Sequence, residues 1–140
     1  MSNFQASAGV QGRQFAEQCD QLLAASGFEL GSCRMVVKEC GIEIDRVATT
    51  PTGREIWFEY KGSIQGNRPG LIRTDTLKKA IANGALLQGV PGAAPYVVLT
   101  SHLPDTGVGV DMLRSARALG YFHDVICIYQ PSQTRRLREL

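Results

Sequence analysis

Two segments that alternate apolar and polar residues, GIEIDRVATT at residues 41–50 and REIWFEYKG at residues 54–62, stand on either side of Pro51, Thr52 and Gly53. A period of two is the signature of a strand with one buried face, and a short turn holding a glycine joins two such strands into an antiparallel hairpin. A hairpin loop of known length also fixes register. With Pro51 to Gly53 as the loop, Asp45 falls opposite Glu59, Glu43 opposite Lys61 and Val47 opposite Trp57. In this reading Ile42 and Ile44 point to one face and Glu43, Asp45 and Val47 to the other. On the second strand Ile56, Phe58 and Tyr60 oppose Glu55, Trp57, Glu59 and Lys61.

The remaining chain supplies what covers this hairpin. Phe15, Cys19, Leu22, Leu23 and Ser26 follow helical spacing, so a first helix is expected over residues 12–26, stopped by Gly27. MVVKE, residues 35–39, reads as a short strand. A second helix begins near Asp75 and turns Leu77, Ala80, Ile81 and Gly84 inward. PYVVLT, residues 95–100, is a short β-branched apolar run, the mark of a strand buried on both faces. A third helix over residues 110–119 buries Met112, Ala116 and Leu119 and turns Arg114 and Arg117 outward, and DVICIY, residues 124–129, is another buried strand. A hairpin feeding strand–helix–strand crossovers predicts an α/β fold: a central mixed sheet of about five strands flanked by helices. Residues 1–140 are expected to form one domain, with residues 1–11 and 131–140 as mobile tails.

Composition excludes little but is consistent. Hydrophobic residues make up 44% and charged residues 20%, ordinary for a globular protein, and no apolar run approaches the ~18 residues of a membrane span. The N-terminus lacks the basic and apolar regions of a secretory signal, so a cytoplasmic location is expected. Cys19, Cys33, Cys40 and Cys127 are scattered, with no C-x-x-C pair, and read as buried reduced thiols rather than zinc ligands. A net charge of +2 does not identify a nucleic-acid binder; the distribution of charge has to.

The pairing of Asp45 with Glu59 carries the chemistry. Directly opposed residues have Cβ atoms about 4.5–5.5 Å apart, and two carboxylates at that separation repel. A divalent cation reverses that sign. Oxygen ligands suit Mg²⁺, which takes one or two carboxylates and keeps water or phosphate oxygens. Lys61 shares the face of Glu59, where a cation can orient a water or stabilise charge on a reacting phosphate. The competing reading is a solvated polar face with Glu43 and Lys61 paired, a contact worth about 0–1 kcal/mol.

The run GIEID, thirteen residues, then EYK resembles the D-x(n)-(D/E)-x-K signature of the PD-(D/E)xK (restriction-endonuclease-like) nucleases, and the inferred element order over about residues 12–129 matches their core. The resemblance implies a Mg²⁺-dependent nuclease, with Mn²⁺ as substitute, that hydrolyses phosphodiester bonds in DNA and acts as an endonuclease. It implies that Asp45 and Glu59 hold the metal together with the backbone carbonyl of Tyr60, and that Lys61 acts on the attacking water. Ile44 stands in place of the family's proline. Many members carry a glutamate after an aromatic on the first helix; here Ala16 follows Phe15, which leaves Glu17 or Glu43 as third acid. Double-strand cleavage by so small a chain implies a homodimer or a partner protein. The alternative is a catalytically silent nuclease-fold subunit that binds nucleic acid or serves assembly.

Beyond Lys61 lies GSIQGNRPGLIRTDTLKKA, in which Arg68, Arg73, Lys78 and Lys79 have no neutralising run of acids. A basic, glycine-rich loop beside a metal site suits tracking of a DNA backbone, whereas Lys78 and Lys79 alone equally suit a solvated helix face. Trp57 reads as packing rather than a base-stacking platform, and His102 and His123 as structural or incidental.

Overall fold

The computed structural model describes residues 3–62 and 70–140, residues 3–11 as backbone only. Helix α1 (Asn3–Ala25) leads into strands β1 (Glu29–Val37), β2 (Ile42–Thr49) and β3 (Glu55–Lys61). Helix α2 (Thr74–Gln88), strand β4 (Tyr96–Thr100), helix α3 (Val108–Ala118), strand β5 (Asp124–Cys127) and helix α4 (Pro131–Thr134) follow, with a 3₁₀ turn at Arg135–Glu139 closing the chain. The sheet order is β1-β2-β3-β4-β5. β2 runs antiparallel to both of its neighbours, β1 and β3, whereas β3, β4 and β5 are parallel. This is the expected α/β fold with a five-stranded mixed sheet between helices, and β3 is the strand on which direction changes.

The hairpin register is the one the Pro51–Gly53 loop dictates as far as Arg46↔Phe58; the expected strand pairs Asp45–Glu59 and Glu43–Lys61 lie beyond the end of the ladder and do not form. Val47 pairs with Trp57, and the ladder runs from Thr49↔Glu55 to Arg46↔Phe58. Gly53 adopts φ +90, a conformation that costs glycine nothing, and its N–H closes the turn on the Thr50 carbonyl. On one face Phe15, Cys19 and Leu23 of α1 pack on Phe58, Leu99 and Ile126. On the other Leu77, Ala80 and Leu87 of α2 and Leu113 of α3 pack on Trp57, Val98 and Val125. All five residues of β4 are buried, as a central parallel strand requires.

Several expectations are corrected. Ile42 and Ile44 share the Val47–Trp57 core rather than opposing it, because β2 leaves the β3 ladder after Arg46 and its alternation does not carry through Asp45. β1 is far longer than the segment of residues 35–39, since its first residues form an exposed edge strand with an irregularity between Leu30 and Cys33 and carry no apolar pattern. α1 begins well before Gly12. In α3 Ala116 is buried as expected and Met112 partly so, but the other inward residue is Leu113, while Leu119, just past the helix, is 61% exposed. Cys19 and Cys127 are buried, whereas Cys33 is exposed. The C-terminal residues expected as a mobile tail form α4 and the 3₁₀ turn, anchored by buried Leu137 and by Arg136, which pairs with Asp124.

Candidate active site

The separation of β2 from β3 creates the site. Two residues beyond Arg46↔Phe58, a regular ladder would supply a β2 carbonyl to the N–H of Tyr60. Here the Oδ2 of Asp45 accepts that N–H at 2.7 Å. Asp45 is thereby drawn into the gap, half-buried, and its carboxyl group lies in hydrogen-bond reach of Glu59. In a strand the N–H and C=O of one residue point to the same edge, so the Tyr60 carbonyl opens toward the same gap.

Glu59 is 3% exposed and fully engaged. Lys61 Nζ lies 3.1 Å from its Oε1, and the Tyr96 hydroxyl donates to its Oε2 at 2.8 Å. Burial raises the pKa of both Asp45 and Glu59 above the ordinary carboxylate range, and the Asp45 charge raises Glu59 further. The Tyr60 N–H and Lys61 pull Asp45 back down, and Lys61 and the Tyr96 hydroxyl do the same for Glu59. Two acids that disfavour simultaneous ionisation share a proton, or accept a cation in its place. A solvated surface pairing is therefore ruled out for Glu59, and Lys61 pairs with Glu59, not with Glu43.

The other expected residues divide. Glu43 is exposed and pairs in register with Val36 on β1; its charge reaches Asp45 only as a repulsion. Glu17 is exposed on α1. Arg73 directly precedes α2, and Lys78 and Lys79 lie in it, all three exposed; Arg68 lies outside the described residues. Trp57 is packed, its indole N–H donating to Glu55 Oε2 at 3.1 Å. His123 is exposed, and the Nδ1 of His102 is buried with no hydrogen-bond partner among the described residues. Also among the described residues, no group of three or more His, Cys, Asp or Glu is placed to hold a metal ion.

Two participants escaped the sequence reading. One is Tyr96, whose hydroxyl reaches Glu59 from the start of β4. The other is Asp20. Arg46 Nε and NH2 donate to its two carboxylate oxygens at 3.1 and 2.8 Å, and the Tyr60 hydroxyl donates to Oδ1 at 2.6 Å. Arg46 also donates to the Gly31 carbonyl at 2.8 Å, so one network ties α1, β1, β2 and β3. Arg46 and Tyr60 directly follow Asp45 and Glu59 in sequence, and Asp20 clamps them from the opposite face of the sheet. Asp20 lies one helical turn beyond Ala16 on the same column of α1, but that spacing does not say which residues of the sheet the column meets.

No family model, curated protein or solved structure matches this chain.

Proposed function

We propose that this chain is a Mg²⁺-dependent nuclease of the PD-(D/E)xK kind, an endonuclease hydrolysing phosphodiester bonds in DNA. The observation that carries the reading is the placing of Asp45 and buried Glu59 together where β2 parts from β3, the first held on the Tyr60 N–H and the second on the ammonium of Lys61. Folding normally avoids burying like-charged acids together, and retention of such a pair points to use.

The donor set suits a hard cation. Mg²⁺ is typically bound by one or two protein carboxylates and keeps its other positions for water and phosphate oxygens. Asp45, Glu59 and the Tyr60 carbonyl are the residues that would hold it, and Mn²⁺ would substitute. When bound, the cation polarises the phosphate and acidifies a water. Lys61 holds a positive charge beside Glu59, where it orients the incoming water and offsets charge developing on the phosphate. Tyr96 fixes the carboxylate plane of Glu59, and the Asp20 network fixes the spacing of the two strands. Arg68, Arg73, Lys78 and Lys79 follow the active strand and would track the DNA backbone. Cutting both strands would call for a homodimer or a partner protein.

A second reading, a silent nuclease-fold subunit that binds nucleic acid or serves assembly, is favoured by one feature: both Glu59 oxygens are already occupied, by Lys61 and Tyr96. Incubation of supercoiled plasmid separates the two. Nicking with Mg²⁺ or Mn²⁺ that EDTA and Asp45→Asn both abolish is the expected result. DNA binding without nicking in either metal would replace the enzyme by the subunit.

A further inference from the structure

A basic cavity lies at the β5 edge of the sheet, away from the gap between β2 and β3. β5 is an edge strand, and the carbonyl of Val125 on it accepts hydrogen bonds from two guanidinium groups, Arg117 NH2 at 3.0 Å and Arg136 NH2 at 2.9 Å. Converging on one oxygen, these two cations are held close together. Arg136 is neutralised by Asp124 at 2.9 Å, whereas among the described residues Arg117 has no carboxylate within ion-pair distance. A third cation, Arg114, borders the same cavity and, among the described residues, pairs with the exposed Asp111 alone. Three guanidiniums against two carboxylates leave a positive charge concentrated at a cavity of about 370 Å³. Its other wall is apolar, formed by Leu103, Pro104 and Leu113.

Capping an exposed edge carbonyl needs one donor, and a single uncharged one suffices. Two guanidiniums brought together against their mutual repulsion, beside an apolar wall, are better matched to an anion carrying a flat or apolar body. Arginine presents a planar fork that binds phosphate through two parallel hydrogen bonds and whose faces stack on aromatic rings. The cavity falls within the ~300–1,000 Å³ range of small-ligand sites. We infer that the Arg114–Arg117–Arg136 cavity binds a nucleoside monophosphate group, free or at the end of a nucleic-acid strand, with phosphate on Arg117 and the base against Leu103, Pro104 and Leu113. The inference does not rest on the nuclease reading, since none of these residues belongs to the Asp45–Glu59 site.

The test uses the full chain in EDTA, so that no divalent cation contributes. Deoxythymidine 5′-monophosphate, deoxythymidine and a 5′-phosphorylated tetranucleotide are titrated against the protein while the methyl signals of Leu113 and Leu103 are followed by NMR. The expected result is saturable shifts with one or both phosphorylated probes and at least about tenfold weaker binding of the nucleoside, which lacks the charged acceptor the guanidiniums recognise. Binding of the tetranucleotide alone assigns the cavity to a strand end; binding of both assigns it to the nucleotide itself. Arg117→Gln should weaken the phosphorylated probe about tenfold, with Arg117→Lys recovering part of the loss. Arg114→Gln, on the exposed rim, serves as the second variant should Arg117→Gln fail to fold. Equal binding of nucleotide and nucleoside, no saturable shift, or phosphate binding unchanged in both the Arg117 and Arg114 variants would overturn the inference and leave the arginines as caps of an edge strand.

Discussion

The backbone N–H of Tyr60 is bonded to the Oδ2 of Asp45 at 2.7 Å, in the position where the β2–β3 ladder would otherwise supply a carbonyl. A carboxylate has replaced a backbone group. The substitution ends the ladder without leaving a buried donor unsatisfied, and it pins an acid beside Glu59 that would otherwise be pushed away. The strand break and the acid pair are thus one feature, and its energetics can be measured apart from any activity.

Asp45→Asn retains an oxygen for the Tyr60 N–H and removes the charge. Asp45 and Glu59 both have raised folded-state pKa values, chiefly through burial. A raised carboxylate pKa contributes stability that is complete below the ordinary range, near about pH 4, and is lost as pH climbs through the folded-state value. In EDTA the parent should therefore lose stability relative to Asp45→Asn as pH rises above the ordinary carboxylate range, read as a Tm difference of a few degrees. Mg²⁺ should narrow the gap at the upper pH, because it replaces the shared proton. A difference in Tm that stays constant across pH would count against a raised acid pair.

Asp20→Ala should cost about 1–3 kcal/mol in urea denaturation, because Arg46 and the Tyr60 hydroxyl lose their shared acceptor while still partly buried. Asp20→Asn, which keeps an acceptor of similar shape, should cost less. If the network also sets strand spacing at the acids, cleavage by Asp20→Asn falls more than its stability does. Loss of stability with unchanged kcat would restrict Asp20 to folding.

Lys61→Ala removes a charge that lowers the pKa of both Asp45 and Glu59. The acid limb of the cleavage pH profile should move to higher pH, since the pair then stays protonated further up the scale. At the optimum, kcat should fall far more than KM rises, because a charge acting on the reacting water and phosphate belongs to the transition state. A loss confined to DNA affinity would make Lys61 a phosphate anchor.

The hairpin was legible because a loop length and a period of two together leave a single register, and Val47↔Trp57 follows from them. The gap at Asp45 was not, because alternation says nothing about where two strands part; Ile42 and Ile44 consequently lie on the face opposite to expectation. Asp20 and Tyr96 were invisible for a different reason. Each reaches the site from another element, α1 or β4, and sequence spacing carries no information across a tertiary contact. Leu137 hides among arginines, where one apolar residue in a basic run reads as tail although it is fully packed.

The basic segment that follows the active strand gives the last prediction, which separates a nucleic-acid substrate from a small one. Arg73 and Lys78 are exposed at the start of α2, bound to no acid among the described residues, as a DNA-tracking surface and a solvated face both allow. Salt decides between them. Each phosphate contact releases condensed counterions, so each one lost flattens the log–log salt dependence of duplex binding by about one unit. Binding is measured by fluorescence anisotropy in Ca²⁺, which takes oxygen ligands as Mg²⁺ does but in looser geometry. Arg73→Ala combined with Lys78→Ala should weaken binding similarly for unrelated sequences and lower the slope by up to about two. A double variant with the parent's affinity and slope would exclude this face. The next surface to test would be the one where Arg114, Arg117 and Arg136 border one cavity.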